Sequence, residues 1–142
     1  MDIPDVRRRV RASIEQARRD LAARRERNDA ASRAFDALLA ERAVPAFNQV
    51  ASALTAEGYR FKVFTPAGAV RLSSERSADD YVELTLDTSE AFPIVLGRTN
   101  IGRGRGATTR ERPVKRGASP SDLTEEDIVD FLVTEIVPFV ER

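Results

Sequence analysis

The chain has 142 residues, no cysteine, no histidine, and 23 basic residues balanced by 23 acidic ones. Disulfides, thiol nucleophiles and cysteine metal sites are therefore excluded, and the commonest general base and transition-metal ligand are missing. An apolar content of 42% suffices for a core, so the length reads as one domain with room for an appended arm.

The charges are unevenly placed. Residues 7–33 hold ten arginines against four acids, and residues 75–90 hold six acids against one arginine. Residues 98–116 hold seven basic side chains and one acid, and residues 121–142 seven acids and one arginine. Such blocks suit contacts within the fold or across a dimer as well as an external partner. No run approaches the roughly 20 apolar residues that span a bilayer, so no membrane partner is expected. The basic start lacks an apolar run after it, so it does not read as a secretory signal, and the cytoplasm is the expected compartment.

Asp2 suits an N-cap and Pro4 a first helical turn. From there alternating steps of four and three pick out Val10, Ile14, Ala17, Leu21, Arg24, Asn28, Ala31, Phe35, Leu38 and Arg42. This is heptad spacing over about four heptads. The apolar stripe is thin, whereas a helix lying on a globular core usually shows a broader face. Charged pairs four residues apart, such as Glu15 with Arg19 and Asp20 with Arg24, support helix by roughly 0.2–0.5 kcal/mol each. Forty helical residues reach about 60 Å, against a radius of gyration of about 14–15 Å for a compact chain of this size. The spacing therefore predicts a helical arm over residues 1–43 that dimerises as a coiled coil. Its candidate interface is Val10, Ile14, Ala17, Leu21, Asn28, Ala31, Phe35 and Leu38.

Residues 44–142 read as an α+β globular domain. Pro45 predicts a kink near Ala43, after which Phe47, Val50, Ala51 and Leu54 share a face that should pack on the globule. Gly58 is the expected stop. Residues 59–65 and 69–75 read as two strands of a hairpin, and residues 81–87 as a third with Val82, Leu84 and Leu86 inward and Glu83, Thr85 and Asp87 outward. A fourth strand is expected over 92–98, and a fifth over 107–114 has only a weak signal. Thr124 should cap a final helix with Glu125, Glu126 and Asp127 in its first turn. Ile128, Phe131, Leu132, Ile136, Phe139 and Val140 form a broad stripe on that helix, widened by Val129, Val133 and Val137. So apolar a helix should be buried on more than one side, with Pro138 distorting its last turn. The expected fold is thus a long N-terminal helix, an antiparallel sheet of four or five strands and a C-terminal helix packed on it.

The densest run of chemistry-bearing residues is 98–116. Alternating glycines free backbone amides to face an anion, and Arg98, Arg103, Arg105, Arg110, Arg112, Lys115 and Arg116 supply donors for phosphate. The spacing is neither a phosphate-binding nucleotide loop nor a dinucleotide fingerprint. The carboxylates around the third strand, Asp79, Asp80, Glu83, Asp87 and Glu90, match no calcium-loop spacing. Serines lack a histidine to activate them, so no enzymatic activity and no cofactor are expected. The expected function is an interaction module. It self-associates through its arm and presents the sheet and the Gly/Arg segment to a partner protein, with nucleic-acid or phosphate binding through residues 98–116 as the alternative.

Overall fold

The computed structural model describes residues 1–141. Helix α1 (Ile3–Leu38) opens on Asp2, whose carboxylate accepts the Asp5 N–H at 2.9 Å. Its 36 residues make it about 54 Å long. The expected interruption before Pro45 takes the form of a π-helical turn, Leu39–Ala43, in which the Val44 N–H reaches back to Leu39 O. Pro45 then falls in the first turn of α2 (Val44–Ala56), so its missing donor lies directly after the π-helical turn. Gly58 ends this helix at φ +94°, and the Tyr59 N–H folds back to Leu54 O at 2.8 Å.

Five antiparallel strands follow in a simple meander: β1 (Phe61–Phe64), β2 (Ala69–Ser74), β3 (Tyr81–Asp87), β4 (Ile94–Arg103) and β5 (Gly106–Pro113). β4 is longer than its apolar alternation implies. It runs through Asn100 and Ile101 to a tight turn at Gly104, and β5 is fully formed beside it. A short 3-10 turn, Pro120–Asp122, leads to α3 (Glu125–Glu135) and α4 (Val137–Val140). Thr124 caps α3 with a reciprocal box: its hydroxyl accepts the Asp127 N–H, and Asp127 accepts the Thr124 N–H, both at 3.0 Å.

The helices form one layer over one face of the sheet. Val70, Leu72, Val82, Leu84, Val95 and Ile101 point into that layer and meet Phe47, Leu54, Ile128 and Leu132 in one core. Phe61 and Phe139 join it at its edge, with ring centroids 5.8 Å apart. Gly97 admits Phe131: a Cβ there would lie 2.0 Å from Phe131 Cζ. The C-terminal stripe is narrower than expected. Val133 and Val137 are 54% and 40% exposed, because the helix breaks at Ile136 and the face carrying Ile128, Phe131, Leu132 and Phe139 meets the core, with Val129, Ile136 and Val140 at its margin. Among the described residues no helix is long and apolar enough to cross a membrane.

Candidate interaction surfaces

The arm divides at Arg24. Before it, Ile3, Val6, Val10, Ile14 and Leu21 are 71%, 42%, 52%, 47% and 50% exposed. They share one side of a helix that touches no other element there, and Ala17 lies bare among them. After it, the same stripe is covered by the chain's own globule. The Arg24 guanidinium donates to the carbonyls of Thr88, Ser89 and Glu90 at 3.3, 3.1 and 3.4 Å. Arg27 lies over the Phe92 ring at 5.3 Å. Asn28 and Ala31 are half-buried, while Phe35 and Leu38 are sealed in the core. Of the eight interface candidates, only Val10, Ile14, Ala17 and Leu21 therefore present a bare surface. Phe35 and Leu38 are already buried by their own sheet and helices, which offer a larger apolar surface than a thin seam does. The Asn28 Oδ1 is shut from solvent and finds no donor among the described residues.

The basic segment is split between two sheet faces by the alternation of β4 and β5. Arg98 lies on the outer face. Its pairing with Glu111 at 3.0 Å belongs to a row Arg71, Glu83, Arg98, Glu111 across four strands, with Arg71 and Glu83 2.7 Å apart. The hydrogen bond to Glu111 pushes the Arg98 guanidinium pKa further up. Arg110 and Arg112 lie on the opposite face and converge on Glu135 of α3 at 3.3 and 3.0 Å, with Arg112 stacked over Phe131 at 4.4 Å. Lys115 reaches Asp127 at 3.6 Å. The Thr124 backbone N–H holds the Asp127 carboxyl below its ordinary range, helped by the Thr124 hydroxyl and Lys115. Arg103 and Arg105 at the hairpin tip, and Arg116 beyond it, are exposed, and among the described residues no carboxylate forms an ion pair with them. The seven candidates are thus brought onto one hairpin but not into one cluster.

The carboxylates of the third strand are dispersed too. Glu83 serves Arg71, and Asp80 accepts the Gly102 N–H at 2.8 Å. Asp87 caps its own turn, where the Ser89 hydroxyl and N–H lower its pKa. Among the described residues no group of three or more potential metal ligands converges. A cleft of about 380 Å³ opens at the β1 edge, lined by Tyr59, Arg60, Arg76, Asp80 and Phe139. Tyr81 is not part of it, since it lies on the outer face beneath the Arg71 guanidinium at 4.0 Å.

Two features escaped sequence reasoning. Glu135 gathers both inner arginines of β5, and Arg24 ties the arm to the β3–β4 turn. Glu135 stands at the end of a helix whose apolar stripe dominated the reading, and Arg24 stands in a heptad position. Neither has a local signal, because both partners lie far along the chain. No family model matches this chain, and neither a curated protein nor a solved structure resembling it was found.

Proposed function

We propose that this protein is an interaction module that self-associates through the projecting part of α1 and presents its globule to a partner protein. The observation that carries this reading is the bare apolar stripe of residues 3–21. Four aliphatic side chains, Val6, Val10, Ile14 and Leu21, are each 42–52% exposed on one side of a helix with no neighbour. Apolar side chains arranged in a line at heptad spacing are the pattern by which two helices bury one another. The chain mass in solution tests it. Light scattering should give twice 15.7 kDa for the full chain. The double variant Ile14→Asp, Leu21→Asp should give the single mass with an unchanged sheet spectrum. A full chain that stays monomeric at tens of micromolar would refute the proposal.

A second reading is anion binding at the hairpin tip, favoured by the exposed guanidinium groups of Arg103, Arg105 and Arg116, which form no ion pair among the described residues. Three phosphate contacts predict a shallow salt dependence, a log–log slope of about −2 for single strands. Fluorescence anisotropy with generic oligonucleotides at low and physiological salt measures it. Binding should vanish when the three arginines become alanine, and absence of binding at low salt would remove this reading.

A further inference from the structure

We infer that two copies of the chain pair through their arms in antiparallel orientation, overlapping only over residues 1–23. This rests on the self-association proposed above and adds its geometry. A parallel, in-register pair would keep the two helices side by side beyond residue 21. That space is taken. From Arg24 onward the stripe is occupied by the chain's own β3–β4 turn, which accepts three hydrogen bonds from Arg24, and then by its core around Phe35. A partner helix running the same way would collide with this turn. A partner running the opposite way leaves the overlap past the first helical turn, on the side away from the β3–β4 turn.

The stripe is self-complementary in that direction. With residue n opposite residue 24 − n, Ile3 faces Leu21, Val10 faces Ile14, and Arg7 faces Ala17. Each layer then joins one position of each heptad class, as antiparallel helices require. The charges within the seam favour the same choice, although the flanking Arg11 of the two copies then lie near each other at the centre of the overlap. Parallel pairing sets Arg7 against Arg7 and Arg24 against Arg24, both like-charge contacts. Antiparallel pairing lays the Arg7 stem over a small alanine and brings its guanidinium near Asp20 of the other copy. Arg7 flanks the shallow groove along this stripe together with Val6, Val10 and Ile14, so it is placed for that contact. The overlap ends at the residue where the globule begins, so the whole bare stripe is covered and nothing beyond it is disturbed.

Because the chain has no cysteine, single cysteines can be introduced into the full-length protein at Ala12 and, separately, at Ala23, both exposed. Nitroxide labels and double electron–electron resonance then report the distance between copies. The antiparallel register predicts the shorter distance at Ala12, about 30 Å, because helices about 10 Å apart carry both labels on their outer sides. It predicts a longer one at Ala23, where about 22 residues of offset separate the labels by roughly 33 Å along the helix axis besides their lateral spacing, about 40 Å in all. A short distance at both positions would establish parallel pairing and overturn the inference, and a long distance at both would overturn the register. Absence of dipolar coupling together with a monomeric mass would fall on the underlying self-association instead.

Discussion

Residues 10–21 and residues 24–38 of α1 carry the same heptad stripe and meet opposite surroundings. In the first stretch Val10, Ile14 and Leu21 are about half exposed, whereas in the second Phe35 and Leu38 are 2% and 0% exposed. The periodicity is continuous across the boundary. What changes is the mass of the side chains and what lies within reach. Phe35 and Leu38 stand one turn before the π-helical segment that delivers α2 onto the sheet, so the globule closes over them. Residues 3–21 point away from everything the chain can fold against. A stripe states that burial is favourable, and geometry decides whether the same chain supplies it.

The sharpest way to break this comparison is to remove one apolar side chain from each half. Phe35→Ala should lower the stability of the globule by about 3–5 kcal/mol, through lost burial and the cavity left behind. Leu21→Ala, measured at a concentration too low for pairing, should change it by less than about 0.5 kcal/mol, as surface substitutions do. Thermal melts of both variants check the pair. Equal losses would mean that the arm is folded against the globule.

A smaller effect should separate the globule from the arm. Gly97→Ala forces a Cβ into the Phe131 ring, 2.0 Å from Cζ, and backbone and helix must both shift. Overpacking of this kind costs about 1–3 kcal/mol. The melting temperature should fall, while the mass of the associated protein, set by residues far from α3, should not change.

Much of this division could be read from the residues. The α+β class, the cap at Asp2, the helix stop at Gly58, the inward set Val82, Leu84 and Leu86, and the Thr124 capping box all follow from local chemistry, and the structure shows each. The full length of β4 and β5 did not, for a physical reason. Their helix-facing positions carry Gly97, Thr99, Arg110 and Arg112 in place of an apolar alternation. Gly97 is small because Phe131 fills its place. The arginines are held on this face because the buried Glu135 pairs with both and Arg112 lies over Phe131. Strand patterns that rely on a distant helix for their complement leave no trace in their own alternation. The same holds for the basic run. As a sequence it is one patch, yet the twofold alternation of strands sends Arg98 to one face of the sheet and Arg110 and Arg112 to the other.

Asn28 sharpens the comparison from inside the covered half. Its Oδ1 is buried without a donor among the described residues, and asparagine is a weaker helix former than alanine. Asn28→Ala should therefore stabilise the protein by about 1 kcal/mol, since it removes an unsatisfied polar group and adds helix propensity. The gain should appear in urea melts of a variant that cannot pair, such as one already carrying Ile14→Asp and Leu21→Asp. Had Asn28 served mainly in a contact between copies, the gain would disappear in that background.

The boundary itself rests on Arg24. One guanidinium nitrogen is shared among three carbonyls at 3.1–3.4 Å in contacts open to solvent, and each is longer than the usual N–H···O distance of about 2.9–3.0 Å. Its removal should cost little in global stability, on the order of 0.5 kcal/mol. Its local effect should be larger than that figure suggests, because the contact joins two elements that meet at few other points. With Arg24→Ala, hydrogen exchange of the amides in residues 22–27 and in the 88–92 turn should quicken, while the amides of β2 and β3 keep their protection. Unchanged exchange in both segments would shift the boundary to Arg27 and its contact with Phe92, and the bare half of the helix would then end one turn later.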